Sequence, residues 1–472
     1  MTESQRLAAV RPSERQLNWQ ELEFYAFFHY GTNTYTDREW GDGTADPNVF
    51  RPDALDTDQW VAAAKAAEMK AVIFTAKHHD GFCLWDTKTT DYNVMHSPFG
   101  KDIVKLLSES CRKYGMRFGV YLSPWDRNCP LYGSDKYNDY FIAQLDELLS
   151  NYGDVFCVWF DGACGEGPNG KKQIYDWQRF YSFVREKQPG AVISISGPDV
   201  RWCGNEAGQT RPSEWSVVPA RLSKAEIVAS LSQQDEEDAA RLRNINSKTV
   251  DLGSREALRD EPRLIWYPCE VDTSIRPGWF YHSSEDDKVR SLDELLNIYL
   301  SAVGGNAALL LNIPPDRHGR ISDPDLNRLR EIGEFIRSVF SENLASDAEI
   351  TVGGPSCPEI KADALKDSGN TSVAASEENA VITVKFPEER SFNYITLMED
   401  ISMGQRIESF SVYTKDSNKP VYLGTTVGHK KICRLPITRS DTIRIEVTSS
   451  RCAPILRYLG VHYGREIPSF GK

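Results

Sequence analysis

The stretch Val155-Phe156-Cys157-Val158-Trp159-Phe160-Asp161-Gly162-Ala163 decides the fold. Its apolar residues run without interruption into Asp161, and Gly162 ends the run. Such a run is typical of a strand buried on both faces of a parallel sheet. This strand has no place for a carboxylate along its length, but α/β barrels build their active sites at the carboxyl tips of their strands. We therefore predict that Asp161 belongs to an active site; the alternative is that it caps the next element.

Strand, loop and helix alternate on both sides of this stretch with a repeat of about 40 residues, which predicts βαβ units and a parallel sheet. Four successive strands end in His29, the pair His78-His79, Tyr121 and Asp161. An open doubly wound sheet would be expected to carry a glycine-rich phosphate turn after its first strand. Here that strand ends in His-Tyr-Gly-Thr. We therefore predict an α/β fold with a (β/α)8-like, TIM-like catalytic barrel over residues 1–344.

The barrel is expected to be imperfect, because its second half is less regular. A strand or helix is predicted to be weak or missing around residues 214–260. Residues 220–262 are predicted to form a partly helical insertion, with an exposed stretch at 232–237. Residues 264–270 are predicted to be a strand that reaches the site, and residues 1–20 a polar lead-in.

After about residue 345 the pattern changes to short alternating strands separated by Gly, Pro, Asn and Ser. The predicted strands are 381–386, 394–399, 410–414, 421–426, 442–448 and 456–463. Short strands at this spacing are typical of an antiparallel β-sandwich. Residues 345–472 are therefore predicted to form a second domain, which is either a sugar-binding module or a brace for the barrel.

The composition excludes several classes of protein. With 40% hydrophobic and 26% charged residues it is that of a globular protein. The net charge of −13 argues against a nucleic-acid or anionic-membrane partner, and no apolar run reaches the roughly 20 residues that span a bilayer. The N-terminus lacks the apolar core of a signal peptide, so we expect a cytoplasmic protein, or a periplasmic or secreted one if a leader was removed. Ten cysteines without a Cys-x-x-Cys pair predict reduced thiols.

Two carboxyl groups are candidates for glycoside cleavage, which needs one ionised group at the anomeric carbon and one protonated group at the leaving oxygen. Asp161 suits the first role. Glu206 suits the second, because its loop carries glycines and an aromatic residue that would partly desolvate it. Glu166, Glu214 and Glu270 remain alternatives for this second role.

His78 and His79 suggest either a metal site or hydrogen bonds to sugar hydroxyls. Consecutive residues of a regular strand point to opposite faces, so two imidazoles would meet at one ion only across a bulge. No second cluster with ligand spacing accompanies them, which favours hydroxyl binding; a structural role for one of the two stays open. The pair Glu39-Trp40 is expected to hold two hydroxyls and one apolar sugar face, or else to anchor its loop.

Four motifs in this order carry a family resemblance. They are Phe27-Phe28-His29-Tyr30-Gly31, Lys77-His78-His79-Asp80-Gly81-Phe82-Cys83-Leu84-Trp85 with Thr90-Asp91-Tyr92-Asn93, Trp159-Phe160-Asp161-Gly162, and Leu309-Leu310-Leu311-Asn312-Ile313-Pro314-Pro315. Together they resemble the retaining α-L-fucosidases of glycoside hydrolase family 29. The resemblance covers about residues 20–340 and continues into the second domain at 395–407.

The resemblance implies that Asp161 is the nucleophile of a covalent fucosyl-enzyme. The implied fucose-binding residues are His29, Glu39, Trp40, His78, His79 and Tyr121, with Trp159 beside the nucleophile and Trp279 as an aromatic wall. Gly204-Asn205-Glu206 resembles the branch that prefers α-1,3/1,4-linked fucose in Lewis-type glycans, which makes Glu206 the implied acid/base; Cys203 departs from that pattern. The retaining route implies carboxyl groups about 5–5.5 Å apart.

We therefore predict a retaining exo-α-L-fucosidase that acts on terminal α-1,3- or α-1,4-linked fucose, with no cofactor and no metal ion. Its expected partner is a fucosylated oligosaccharide or glycoconjugate, and neither a nucleic acid nor a membrane. The alternatives are an α-L-fucosidase of broader specificity that includes α-1,2 and aryl fucosides, a metal-dependent barrel hydrolase, and a non-catalytic glycan-binding protein.

Overall fold

A nearly closed barrel of eight strands dominates the computed structural model, which describes residues 2–232, 251–367, 369, 371–415 and 417–468. The strands of this half of the chain are β1 Phe24–Phe28, β2 Ala71–Lys77, β3 Arg117–Leu122, β4 Val155–Phe160, β5 Val192–Ile195, β6 Arg201–Trp202, β7 Val217–Pro219, β8 Leu264–Trp266, β9 Cys269–Ser274 and β10 Ala307–Asn312. The barrel order is β5-β4-β3-β2-β1-β10-β9-β6, and each neighbouring pair is parallel. A single parallel bridge from Ser194 to Val200 spans the gap between β5 and β6. The predicted TIM-like barrel is confirmed.

Side chains of the barrel strands divide by alternation into an inner and an outer core. Tyr25, Phe27 and Trp159 point into the barrel and pack on one another, whereas Phe24 and Phe28 belong to the layer between the strands and the helices. Successive strand residues face opposite sides, so a strand covered on both faces is apolar along its whole length. This explains why the run at β4 predicted its burial.

Helices follow most of the barrel strands. They are α1 Glu3–Ala8, α2 Glu14–Gln20, α3 Thr32–Thr36, α4 Thr57–Ala66, α5 Ile103–Tyr114, α6 Lys136–Asn151, α7 Trp177–Lys187, α8 Ala225–Ser232, α9 Arg255–Leu258, α10 Leu292–Ala302 and α11 Asp323–Phe340. The side chains of Asp56, Asp102, Asp176 and Ser291 accept the backbone N–H three residues on and so begin α4, α5, α7 and α10. None of the described helices is both long enough and apolar enough to cross a membrane.

The predicted polar lead-in is wrong, because residues 3–8 and 14–20 form the helices α1 and α2 and bury part of their surface. Trp19 is buried against Tyr25, and Gln16 Nε2 donates to the carbonyls of Asp199 (2.9 Å) and Trp266 (2.8 Å). Glutamine reads as a surface residue in a sequence, but here its amide satisfies backbone carbonyls at the amino-terminal side of the barrel.

The strand predicted at 264–270 is wrong as a single element. It divides into β8, which pairs antiparallel with β7, and β9, which enters the barrel at Cys269. Pro268 separates the two because proline has no N–H for a sheet ladder. The irregularity expected around 214–260 is present as β7, which pairs with β8 outside the barrel, and the short helix α9; the two-residue β6 lies just before this range. Most of the predicted exposed stretch at 232–237 lies outside the described residues.

The C-terminal part is an antiparallel sheet structure. Its strands are β11 Glu349–Gly353, β12 Ile360–Lys361, β13 Val373–Ala374, β14 Val381–Glu399, β15 Ile407–Thr414, β16 Tyr422–Gly424, β17 Lys431–Ser450 and β18 Ile455–His462. The strands predicted at 381–386 and 394–399 are one long strand, β14, whose pairing with β17 shifts register at 385–390 and again at 392–394. The division into domains after residue 344 stays a prediction. All ten cysteines are free thiols.

Candidate active site

A cavity of about 470 Å³ opens at the carboxyl ends of the barrel strands. Its walls are formed by Phe27, His29, Trp40, His78, His79, Trp159, Asp161, Ala163, Ile195, Trp202, Gly204, Asn205, Glu206, Ala207, Asp272 and Trp279. Eight of the predicted site residues are therefore brought together here. The other two, Tyr121 and Glu39, contact this wall from behind.

Asp161 follows β4 directly, and donors hold both of its carboxylate oxygens. The Ala163 N–H donates to Oδ1 at 2.8 Å, and the Tyr121 hydroxyl donates to Oδ2 at 2.9 Å. His79 Nε2 lies 3.8 Å from Oδ2. These two hydrogen bonds fix the orientation of the carboxylate, and the side chain keeps 21% of its surface exposed toward the cavity. The group is thus oriented and accessible to a reacting atom.

The tautomer of His29 follows from its partner, Asn312. The Asn312 amide nitrogen donates to Ser274 Oγ (2.9 Å) and to the Trp279 carbonyl (2.8 Å), so its oxygen faces His29 Nδ1 at 2.9 Å. Nδ1 must therefore carry the proton and donate. Burial lowers the pKa of His29 to about 3. The ring is neutral, and Nε2 is left as an acceptor.

The tautomer of His79 also follows from its hydrogen-bond partner. Ser123 Oγ donates to the Trp125 carbonyl at 2.7 Å, so it accepts from His79 Nδ1 at 2.7 Å. Burial lowers the pKa of His79, and Asp161 opposes that shift only in part. Its Nε2 is therefore a lone-pair acceptor beside Asp161.

His78 faces the same cavity as His79, with ring centroids 4.2 Å apart. The β2–β3 pairing shifts register between Thr75 and Lys77, which explains how consecutive residues reach one cavity. Burial lowers the pKa of His78 well below its ordinary value, and Nδ1 is buried with no hydrogen-bond partner among the described residues. Within that same set, no three His, Cys, Asp or Glu side chains are arranged to hold a metal ion.

Other residues of the motif that contains His78 and His79 fix its conformation. Lys77 is buried in an ion pair with Asp126 (3.0 Å). Asp80 accepts from the Thr32 hydroxyl, and burial raises the pKa of Asp80 to about 6. Gly81 has φ +82° and would meet Asp126 if it carried a Cβ. The two histidines are therefore presented by a framework that fixes the residues on both sides.

Trp40 and Glu39 differ in what they contact. Trp40 is 51% exposed and stands edge-on to His79, with ring centroids 5.5 Å apart. The Glu39 carboxylate accepts the backbone N–H groups of Trp279 (2.7 Å) and Phe280 (3.2 Å), and it contacts His282 Nε2 at 2.7 Å. Glu39 thus fixes the segment that carries Trp279, whereas Trp40 presents an aromatic face to the cavity.

Glu206 reaches the cavity from the loop that follows β6. Thr273 Oγ1 donates to its backbone carbonyl at 2.7 Å, and Trp279 Nε1 donates to its Oε2 at 3.3 Å. Its pKa is raised: desolvation by the cavity walls raises it, the Trp279 hydrogen bond opposes this, and the charges of Asp161 and Glu39 raise it further. A carboxyl group with a raised pKa therefore shares the cavity with Asp161.

The loop around Glu206 is shaped by its own residues. Asn205 Oδ1 accepts the backbone N–H groups of Ala207 and Gln209, each at 3.1 Å. Gly208 has φ +79°, and a Cβ there would lie 2.8 Å from Ile298. Only glycine adopts this conformation at such close range without strain. The loop is therefore a built turn, held to the barrel from both sides.

The three alternative carboxyls lie elsewhere. Glu166 is exposed and contributes its backbone carbonyl to Trp125. Glu214 is buried between Arg201 and Arg211, which lower its pKa despite the opposing effect of burial. Glu270 is buried inside the barrel, and its position is described with Trp159 below. None of these three side chains belongs to the described cavity wall.

Asp272 is a cavity residue that sequence analysis missed. It lies two residues after Glu270 on β9, so the two side chains share one face of the strand. Trp202 Nε1 donates to Asp272 Oδ1 at 2.7 Å. Burial raises the pKa of Asp272 well above its ordinary value, and Glu206 and Glu270 raise it further. The i, i+2 spacing was the available signal, but the predicted strand ended at Glu270.

Aromatic rings supply the apolar part of the cavity. Trp159 donates from Nε1 to Glu270 Oε1 at 2.7 Å and stacks on Tyr121 with centroids 5.2 Å apart. Trp279 packs against His29 at 5.1 Å, while Phe280 lies behind the wall against His78 at 5.0 Å. The cavity therefore combines fixed acceptors, apolar faces and two carboxyls in different surroundings: Asp161 is held by two donors, and Glu206 has a raised pKa. This is the equipment for acid-assisted displacement at a sugar carbon.

Comparison with known proteins gives consistent matches. A family model described as Alpha-L-fucosidase matches residues 9–339. Alpha-L-fucosidase 1 of Arabidopsis thaliana is 38% identical over 468 residues, which cover 96% of this chain and 87% of that protein. A candidate alpha-L-fucosidase from Bacteroides ovatus has a TM-score of 0.86 at 42% identity, covering 100% of this chain and 78% of the other. A Ruminococcus gnavus GH29 fucosidase solved in complex with fucose has a TM-score of 0.81 at 29% identity, covering 97% and 96%.

Proposed function

Since this chain belongs to the α-L-fucosidase family, glycoside hydrolase family 29, we propose that it is a retaining exo-α-L-fucosidase for terminal α-1,3- or α-1,4-linked fucose of Lewis-type glycans. One observation carries the catalytic assignment. Asp161, held by two donors, and Glu206, whose pKa is raised, line one cavity at the carboxyl ends of the strands.

The proposed reaction has two steps. Asp161 attacks the anomeric carbon, the glycosidic bond breaks, and Glu206 gives its proton to the departing oxygen, so that the aglycone leaves as an alcohol. In the second step Glu206, now ionised, takes a proton from water as the water oxygen attacks the anomeric carbon. The bond to Asp161 then breaks, which releases fucose and restores both carboxyl groups.

The cavity suits a 6-deoxy sugar. Fucose needs an apolar contact for its methyl group, which Trp159, Trp279 and Phe27 can supply. Its ring hydroxyls need fixed acceptors, and the assigned tautomers leave Nε2 of His29 and of His79 for that purpose. A site built to hydrogen-bond a hydroxyl rejects an analogue that lacks it by orders of magnitude.

The linkage preference is supported by the Glu206 loop. Gly204-Asn205-Glu206 resembles the α-1,3/1,4 branch, and Trp202, Asn205 and Ala207, close to Glu206 in the chain, line the same cavity. A branched N-acetylglucosamine carries bulk on both sides of the fucosidic bond, which requires an open mouth beside the acid.

The test is product analysis on a panel of Lewis a and Lewis x trisaccharides, 2′-fucosyllactose and an α-1,6-fucosylated core. We expect release of fucose from the Lewis trisaccharides at rates at least tenfold above the other two. The α-anomer should appear first in proton NMR of the reaction. Faster cleavage of 2′-fucosyllactose would favour the broader-specificity alternative, and the β-anomer first would exclude the retaining route.

A further inference from the structure

Residues of the C-terminal sheet structure form hydrogen bonds with residues 214–216, just beyond the Glu206 loop. The backbone carbonyl of Glu214 accepts from Gln405 Nε2 at 3.1 Å and from Thr426 Oγ1 at 3.2 Å, and its N–H lies 3.1 Å from Thr426 Oγ1. Gln405 Oε1 also accepts the Ser216 N–H at 2.9 Å. Gln405 and Thr426 are both buried. Asn306 Nδ2, from the barrel half of the chain, donates to the same Glu214 carbonyl at 2.9 Å. Gln405 and Thr426 therefore share with Asn306 the role of partners for the backbone of residues 214–216.

The Glu214 side chain connects this anchored segment to the loop that carries Glu206. Its carboxylate pairs with Arg201 at the start of the loop and with Arg211 at its end (3.1 Å). Arg211 Nη2 in turn donates to the Cys203 carbonyl at 3.2 Å. The two stems of the segment 203–211 are thus fastened to each other through one buried carboxylate, with Glu206 at the top.

A second buried carboxylate, Glu399, organises the C-terminal side of this contact. Its Oε1 accepts the N–H groups of Arg406 (2.9 Å) and Ile407 (3.0 Å), and its Oε2 accepts the Gly428 N–H at 2.8 Å. Gln405 directly precedes Arg406 in the chain, and Thr426 lies two residues before Gly428. The two turns that carry them are therefore held together by a single side chain, so they act on residues 214–216 as one unit.

We propose that Gln405 and Thr426 are positioning residues for Glu206. Through them the C-terminal part of the chain holds the general acid in position without contacting it. This inference rests on the proposed role of Glu206 as the acid. The series of contacts leads from Thr426 and Gln405 through Glu214 to Arg211 and the loop stems. None of these contacts involves Asp161, whose donors are Tyr121 and the Ala163 N–H.

That separation gives the proposal a measurable signature. If the anchorage is loosened, the acid is misplaced while the nucleophile is not. A substrate with a poor leaving group needs the proton in its first irreversible step, whereas an activated aryl fucoside does not. A merely structural role would lower the active fraction of enzyme and reduce both rates equally.

The experiment compares kcat/KM for a Lewis trisaccharide and for 4-nitrophenyl α-L-fucoside in Thr426→Val, which keeps the shape but removes the hydroxyl. Thr426→Ser retains the hydroxyl and is the conservative rescue. Gln405→Met is a second variant in case Thr426→Val fails to fold. Arg434→Met is the matched control, because Arg434 Nη1 contacts Asn297 Oδ1 (2.6 Å) and so joins the same two parts of the chain away from this loop.

We expect Thr426→Val and Gln405→Met to lose about three- to tenfold more activity on the trisaccharide than on the aryl fucoside, the scale of one or two hydrogen bonds. Thr426→Ser should restore the wild-type ratio, and Arg434→Met should leave it unchanged. Equal losses on both substrates, with the wild type active on both, would overturn the positioning role alone. A wild type inactive on both would overturn the proposed function, and the positioning role with it.

Discussion

The Tyr121 hydroxyl donates a 2.9 Å hydrogen bond to Asp161 Oδ2, the oxygen that also faces His79. Removing it in Tyr121→Phe leaves the ring stacked on Trp159 but frees one carboxylate oxygen. A hydrogen bond to a charged group contributes about 1.5–3 kcal/mol, so kcat/KM should fall roughly ten- to a hundredfold. Steady-state kinetics on an aryl fucoside and a thermal melt check this.

Tyr35→Phe is the control for that variant. Its hydroxyl contacts Tyr30 and donates to the Arg317 carbonyl, each at 2.8 Å, and it touches neither catalytic carboxyl. We expect its kcat/KM to stay within about twofold of wild type. A Tyr121→Phe enzyme as active as this control would show that the Ala163 N–H alone orients Asp161.

Asp161→Ala removes the proposed nucleophile while leaving β4 intact. Loss of one member of a catalytic set lowers kcat on the order of 10⁴-fold, so turnover of an aryl fucoside should become undetectable in routine assays. The variant should still bind fucose, because His29, His79 and Trp159 are unchanged; calorimetric titration with fucose measures this. Retention of more than a few per cent of wild-type turnover would refute the assignment.

Glu270 gives a stability prediction with a defined sign. Burial raises its pKa to about 7, against the donors Tyr25 and Trp159. A carboxyl whose folded pKa is raised binds more protons in the folded than in the unfolded state between about pH 4.5 and 7. Its contribution to stability is therefore complete below about pH 4.5 and is lost as the pH rises to 7.

In Glu270→Gln that pH-dependent contribution disappears. The fall in the free energy of unfolding between pH 5 and pH 8, measured by urea denaturation, should be smaller than in wild type by about 3 kcal/mol. Other buried carboxyls keep part of the slope, Glu399 among them, because burial raises its pKa to about 7 as well. Glu166→Gln, at an exposed side chain, is the control for the substitution itself. Parallel slopes for wild type and Glu270→Gln would mean that Glu270 does not titrate in this range.

The first half of the barrel could be predicted because each strand is an apolar run that ends in a polar tip. His29, His78 and Asp161 all lie at such tips, and each lines the cavity. The second half was predicted less completely, because β6 has two residues and β9 carries the buried carboxyls Glu270 and Asp272. Those charges interrupt the hydrophobic pattern that identifies a strand, although the fold pairs each with an indole N–H.

Contacts between residues that are remote in sequence could not be predicted either. Glu39 was expected to hold sugar hydroxyls or to anchor its loop, but the sequence could not identify its partners, the backbone N–H groups of Trp279, 240 residues away, and of Phe280, 241 residues away. Glu214 was weighed as an acid, whereas its arginine partners and Thr426 make it a junction between the loop and the C-terminal sheet. Residue type and spacing indicate what a side chain can do, but only the fold decides which neighbours use it.

Glu206 gives the prediction that separates its role from that of Asp161. Glu206→Gln keeps the Trp279 and Thr273 contacts possible but cannot supply a proton, and general acid catalysis contributes about 10²–10⁴-fold. We expect a loss of that size in kcat/KM for a Lewis trisaccharide and less than about tenfold for 4-nitrophenyl fucoside. In wild type the raised pKa of Glu206 keeps the acid protonated above the usual carboxyl range, so trisaccharide activity should fall as the pH rises through that pKa. This basic limb should be absent from the kcat/KM profile of the residual activity of Glu206→Gln on the trisaccharide. Equal losses on both substrates, or an unchanged basic limb, would assign the proton donor to another group, for which Asp272, the remaining carboxyl of the described cavity wall, is the candidate.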